Sequence, residues 1–255
     1  MLPTVGRAAP VLVWLAATVA WAGPPFLTDD PEIPPPHGWE INVPFTVERI
    51  PGETDMEAPL FDINYGMPAM YGLPHVQLKL EIPVAVVTRD GGGAEAGPGD
   101  MLLGVKWPFL EEQGWQPIVG IYPQILVPTG DHSRGLGEGR PAYALPVLAE
   151  KHWGKWTVYG DVGYVVQTAN DEHNYWYEGV SINREVSERL ELGGEIVENA
   201  PLPPLGGYSN LAFNLGGTWK INEHFNLLFS AGRSIRGETQ FMAYWGIQME
   251  LGGAK

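Results

Sequence analysis

Large or apolar residues alternate with polar ones along most of this chain. In Phe241-Met242-Ala243-Tyr244-Trp245-Gly246-Ile247-Gln248-Met249-Glu250-Leu251 a large or apolar side chain stands at nearly every odd position, with Gln248 and Glu250 between. Trp39-Glu40-Ile41-Asn42-Val43-Pro44-Phe45-Thr46-Val47-Glu48 and Val76-Gln77-Leu78-Lys79-Leu80-Glu81-Ile82 repeat the pattern. A period of two gives a segment one apolar and one mixed or polar face, which makes it a strand. Twelve such segments can be read, at roughly 38–49, 58–67, 75–87, 100–109, 115–127, 141–150, 155–167, 174–186, 189–198, 208–220, 224–234 and 239–251. An even number of alternating strands of about ten residues predicts an all-β fold, an antiparallel transmembrane β-barrel over residues 38–252.

The connections carry a second signal. Those after strands 2, 4, 6, 8 and 10 are short: Pro68 to Pro74, Leu110 to Gly114, Lys151 to Gly154, Ser187-Glu188, and Ile221 to Glu223. Those after strands 1, 3, 5 and 9 are longer: Ile50 to Glu57, Thr88 to Gly99, Pro128 to Arg140, and Asn199 to Gly207. Short turns at the end holding the termini and longer loops at the other is the outer-membrane arrangement, although the short connections after strands 7 and 11 break the rule. Two turns also look like copies, Val186-Ser187-Glu188-Arg189-Leu190-Glu191-Leu192 and Ile221-Asn222-Glu223-His224-Phe225-Asn226-Leu227, which points to repeated hairpins within one domain.

Proline argues the other way. Pro44, Pro83, Pro108, Pro117, Pro123 and Pro146 fall within or at the ends of these strands, and a proline cannot donate to a ladder that has no free edge. A secreted β-sandwich, with prolines on edge strands, is the competing architecture. The barrel is preferred because the apolar faces carry few charges.

Residues 1–22 read as an export signal: Arg7 is the lone charge before residue 29, Val11 to Ala20 form a short apolar run, and Ala20-Trp21-Ala22 fits a small-x-small cleavage site. About ten apolar residues are too few to span a bilayer as a helix. The chain has no cysteine, so disulfides and thiol chemistry are excluded. Without Arg7, 14 Lys and Arg stand against 30 Asp and Glu, a formal −16 that argues against nucleic acid and anionic lipid headgroups as partners. The 33 glycines and 10 tryptophans suit tight turns and interfacial aromatic belts.

Several longer stretches stand out as motifs. They are Gly23-Pro24-Pro25-Phe26-Leu27-Thr28-Asp29-Asp30-Pro31-Glu32 followed by Gly38-Trp39-Glu40, then Gly99-Asp100-Met101-Leu102-Leu103-Gly104-Val105-Lys106, Pro128-Thr129-Gly130 and Gly135-Leu136-Gly137. Trp153-Gly154-Lys155-Trp156-Thr157-Val158-Tyr159-Gly160, Phe213-Asn214-Leu215-Gly216-Gly217 and Leu227-Leu228-Phe229-Ser230-Ala231-Gly232-Arg233 complete the set. Together these stretches resemble a family of outer-membrane proteins named for the MetA pathway of phenol degradation, and the resemblance implies a β-barrel and the uptake of small, often aromatic, compounds. It brings no defined binding residues.

Catalysis finds little support. None of the six histidines begins the His-x-Ser pair that lipid-hydrolysing barrels share, and a serine nucleophile needs a base within hydrogen-bond reach. No metal or other cofactor is expected: no two histidines have ligand spacing, and Asp29-Asp30 and Glu111-Glu112 read as solvated carboxylate pairs. With the apolar faces toward lipid, the expected lumen carries Glu40, Glu48, Asp62, Glu81, Asp100, Asp161, Glu191, Glu195 and Glu250, with Tyr122, Gln124 and Gln248, against the bases Lys79 and Lys106. Nine acids cannot all pair with two bases, so the lumen should attract cations and repel anions. The phase of the strand at 174–186 stays open, because Trp176, Val180 and Ile182 share a face with Glu178 and Arg184.

Asp131, His132, Arg134, Glu138 and Arg140 lie in a glycine-rich loop that either folds inward as a constriction or stands outside as a tip. The proline-rich segment 23–37 should be extended, apart from the sheet and on the periplasmic side, hanging free or entering the barrel mouth. The expectation is therefore a channel or porter for small solutes in the outer membrane of a Gram-negative bacterium. The alternative is a non-transporting barrel or a secreted sandwich with a structural or binding role.

Overall fold

The computed structural model describes residues 24–168, 174–201 and 210–253, and the export signal expected over residues 1–22 lies outside them. Fourteen strand segments form one antiparallel sheet. In chain order they are β1 (Gly38–Ile50), β2 (Glu53–Met67), β3 (Val76–Arg89), β4 (Ala94–Pro98), β5 (Met101–Leu110), β6 (Ile118–Ile121) and β7 (Gln124–Val127). β8 (Ala142–Trp153), β9 (Trp156–Gln167), β10 (Tyr175–Ser187), β11 (Leu190–Pro201), β12 (Asn210–Lys220), β13 (Phe225–Arg236) and β14 (Phe241–Gly252) follow. β4 and β5 both pair with β3 and make one broken rung. β6 and β7 both lie between β5 and β8 and make another. The sheet thus has twelve rungs. β1 pairs with β14 from Gly38 opposite Gly252 to Arg49 opposite Phe241, which closes a barrel and overturns the sandwich alternative. Closure gives every rung two neighbours, as a structure without water around its waist requires.

The prolines are accommodated by what faces them. Pro44 lies opposite Gly246, Pro108 opposite Gly120, and Pro146 opposite Gly163, so a partner without a side chain lets the backbones adjust. Pro83 sits beside the register shift between Glu57 and Leu60. Pro123 falls in the gap between β6 and β7, so it interrupts a rung instead of occupying one. Pro117 lies outside the strands.

Two expected connections are corrected. β2 begins at Glu53, so the first loop shrinks to Pro51-Gly52, with Gly52 at φ +89°. Glu53, Asp55 and Glu57 look like loop because they are acidic, but they face a polar interior and so extend the strand. The stretch from Thr88 to Gly99 holds the additional segment β4.

Polar side chains point in and apolar ones out. Asn42, Glu150 and Ser181 are wholly buried, whereas Leu145, Leu215 and Trp219 are more than half exposed. That inversion belongs to a barrel surrounded by lipid. In β10, Trp176, Glu178, Val180, Ile182 and Arg184 all face outward, and Arg184 lies over the Trp156 ring at 5.0 Å. Trp39, Trp107, Trp153, Trp156 and Trp219 gather at the end that holds the chain termini, as an interfacial girdle does.

Candidate functional site

Residues 24–37 lie inside the barrel. The segment is apart from the sheet and bonds to the wall that surrounds it. Pro24, Pro25, Pro31, Pro34, Pro35 and Pro36 keep it extended and remove six donors that would otherwise need partners. The Leu27 and Thr28 N–H groups donate to the Glu195 carboxylate at 2.9 and 2.8 Å, and the Thr28 hydroxyl donates to it at 2.6 Å. The Asp29 N–H donates to Asp161 at 3.2 Å, and the Ser230 hydroxyl to the Pro25 carbonyl at 2.6 Å. Lys106 donates to the Asp29 carboxylate at 2.8 Å and the Asp30 carbonyl at 2.7 Å. At its base the His37 N–H donates to the Gly66 carbonyl at 2.8 Å.

Two glycines of the wall make room for this plug. A Cβ on Gly66 would lie 2.1 Å from the Pro35 carbonyl oxygen, and one on Gly179 would lie 2.3 Å from the Thr28 hydroxyl. Real Cβ atoms do not approach so closely, so each position admits the plug only because it is glycine.

The residues expected in the lumen divide into groups. Glu40 and Asp62 accept from the Asn42 amide at 2.9 and 3.0 Å, and Lys79 lies 3.4 Å from Asp62 and 2.8 Å from Glu81. These four charges share one network on the wall of β1, β2 and β3. Lys106, Asp161 and Glu195 serve the plug. Tyr122 is buried with its ring 5.2 Å from the Lys106 ammonium, Gln124 lines a cavity, and Gln248 is buried and accepts from Asn226 at 2.7 Å. Asp100 lies at the far end, where its carboxylate accepts the Gly130 and Glu138 N–H groups, each at 2.7 Å.

Those two bonds fold the loop 128–141 inward. The side chain it sends into the lumen is Leu136, which is 3% exposed. Of the loop's charged residues, Asp131, His132, Arg134 and Arg140 stay exposed, and Glu138 borders the lumen. Asp131 caps a short 3-10 turn over His132–Arg134 by accepting from Ser133, which holds its carboxyl below the usual carboxylate range. His132 contacts the Gly137 carbonyl at 3.1 Å, and Arg134 pairs with Glu95 at 2.7 Å.

Two cavities of about 480 and 690 Å³ flank the tip of the plug, and Phe26 and Leu27 line both. Tyr122, Tyr177, Tyr244, Lys79 and Glu81 face the first. Glu53, Asp55, Glu57 and Leu136 face the second. Both volumes are in the range of small-molecule sites. At the terminus end, burial pushes the Glu112 carboxyl up, but hydrogen bonds from Lys151 and His152 outweigh it and hold it below its usual value. Burial pushes the His75 imidazole down, against the opposing hydrogen bond to the Pro34 backbone.

Sequence reading missed the plug contacts of Phe26, Leu27, Thr28 and Asp29, the acidic row Glu53, Asp55 and Glu57, and a cluster of Glu32, Glu150 and His152 in which Glu150 is buried. The acidic row had a usable signal, its period of two.

A family model described as "Putative MetA-pathway of phenol degradation" matches residues 39–249. No curated protein matches the chain. Among solved structures, the COG4313 outer membrane channel from Pseudomonas putida F1 superposes with a TM-score of 0.73 at 15% identity, covering 87% of this chain and 98% of that one. KdgM porin in complex with disordered oligogalacturonate gives 0.53 at 8% identity, covering 83% of this chain and 99% of that one. KdgM porin without it gives 0.51 at 9% identity, with the same coverage. At these identities the likeness is one of fold.

Proposed function

The chain belongs to the MetA-pathway phenol-degradation family, and on that footing we propose that it is a non-enzymatic outer-membrane channel for small solutes, gated by residues 24–37. The observation that carries this reading is the divided lumen: two cavities of small-molecule size flank the tip of a plug that hydrogen bonds and an ion pair seat on the barrel wall. Eight-stranded barrels fill their interior with side chains and sixteen-stranded ones leave it open, so twelve rungs suit a narrow, closable passage. The apolar outer face supports a place in the outer membrane, and the likeness in fold to the Pseudomonas putida outer membrane channel agrees.

Charge sets the preferred solute. Glu53, Asp55, Glu57, Asp62 and Glu81 line the cavities with Lys79 as the base among them, and Lys106 is engaged by the plug. Cations and neutral molecules are favoured over anions in such a field. Tyr122, Tyr177 and Tyr244 offer ring faces and hydroxyls to a neutral aromatic, which fits the family's description. Anionic aromatic acids should be poor substrates.

Proteoliposome swelling tests the proposal. A neutral sugar should enter faster than the sugar acid of equal size. Equal or reversed rates would remove the charge argument. No swelling, even in a variant with a weakened plug, would favour a non-transporting barrel.

A further inference from the structure

The terminus end of the lumen holds a cluster that the transport reading does not use. Glu150 and His152 are two residues apart on β8 and so point to the same, inward, face. Glu32 of the plug lies against them. His152 Nε2 is 3.3 Å from Glu150 Oε1 and 3.9 Å from Glu32 Oε1, and one donor atom from each of the three lies within 4.8 Å of the others. Glu150 is wholly buried, and neither of its carboxylate oxygens has a hydrogen-bond partner.

The other ring nitrogen of His152 makes this arrangement informative. Nδ1 is 2.8 Å from Glu112 Oε2, so it carries the proton and donates to that carboxylate. Nε2 then faces a buried carboxylate at 3.3 Å. Either a proton on one of the two or a metal cation between them holds that pair together. Lys151 is engaged by Glu112, and Lys106 by Asp29 and Asp30. Neither nearby base is left to fill the role.

We propose that Glu32, Glu150 and His152 bind a divalent transition-metal ion of the zinc type, which fastens the plug to the barrel wall. One imidazole and two carboxylates are a borderline donor set that suits zinc and disfavours the all-oxygen cations calcium and magnesium. Donors about 2.0–2.2 Å from a tetrahedral ion lie about 3.3–3.6 Å apart, so three atoms within 4.8 Å of one another need close by about 1.5 Å at most, and water takes the fourth position. A histidine ligand oriented by a carboxylate on its second nitrogen is the usual support for such a site, and Glu112 supplies it. Glu32 alone comes from the plug, so the ion would bridge the moving part and the fixed part. The binding goes beyond the channel reading and does not depend on it; only its effect on conductance does.

The test uses the full barrel in detergent with Zn²⁺, at neutral pH and with excess Mg²⁺, monitored by titration calorimetry. The expected result is one Zn²⁺ per chain, and hydrogen exchange of residues 29–37 that slows on addition. His152→Ala and Glu150→Gln should abolish the binding, with the folded state of each checked by heat-modifiable gel migration. Glu112→Gln, which leaves all three donors in place, should weaken it about 10- to 100-fold. No stoichiometric binding would overturn the proposal and leave a proton shared among the carboxylates as the occupant. Binding that survives His152→Ala in a folded barrel would overturn it equally, by placing the ion elsewhere.

Discussion

Replacing Glu195 with Gln removes the charge that seats the tip of the plug. The native carboxylate accepts four bonds: the Leu27 N–H at 2.9 Å, the Thr28 N–H at 2.8 Å, the Thr28 hydroxyl at 2.6 Å and the Asn214 amide at 2.5 Å. A glutamine keeps one acceptor oxygen and turns the other position into a donor that faces donors. Hydrogen bonds to a charged group contribute about 1.5–3 kcal/mol each, so losing the equivalent of one to two costs about 3 kcal/mol. That is a factor of about 150 in the ratio of withdrawn to seated plug. The shape of the side chain is preserved and the strand ladder is untouched, so the barrel should still fold. Hydrogen exchange of the peptide spanning residues 24–33 reads the effect directly, because local opening controls exchange there. The Leu27 and Thr28 amides should exchange about 100-fold faster than in the native protein. Exchange within about threefold of native, in a barrel that still migrates as folded, would refute the assignment of Glu195 as the plug's anchor.

Three further outcomes follow from the same geometry. Leu80 lies beside Ile63 and Leu103 on the outer face while Glu81 borders a cavity, so Leu80→Arg should cost about 2–4 kcal/mol in lipid and Glu81→Arg far less; equal refolding yields would contradict the register. Gly179→Leu should displace Thr28 and raise conductance without unfolding the barrel, so an unchanged conductance would show that the plug does not control flow. His75 has a folded pKa held down by burial, so its contribution is present above the ordinary imidazole value and lost as pH falls toward the folded one. Exchange protection of residues 33–37 should therefore weaken as pH falls from 7.5 to 5.0 in the native protein, and stay level in His75→Gln.

The barrel was legible because lipid imposes one rule on every strand: the outer face must be apolar. Alternation at Phe241–Leu251 and its counterparts follows from that rule alone. The inner face has no such rule, since a wet lumen accepts acids, asparagines and prolines alike. Glu53, Asp55 and Glu57 therefore read as a loop although they continue β2, and Pro123 read as an obstacle although it marks a gap in one rung. Alternation also supplied the facing of Glu40, Asp62, Lys79, Glu81, Asp161 and Glu195. It could not supply their partners, because Thr28 meets Glu195 across most of the chain and Glu32 meets His152 by threading. The six prolines of the plug were visible, and so were the donors they remove; the wall that receives the remaining donors was not.

The central claim is that this lumen is a negatively charged passage closed by its own N-terminal segment. A reversal potential across a planar bilayer under a tenfold KCl gradient tests it most directly, measured on the Glu195→Gln barrel so that the plug does not limit current. The account predicts that the dilute side becomes positive, the sign of cation selectivity. A negative dilute side would contradict the charge of the lumen, and no current at all from a folded barrel would contradict the passage itself.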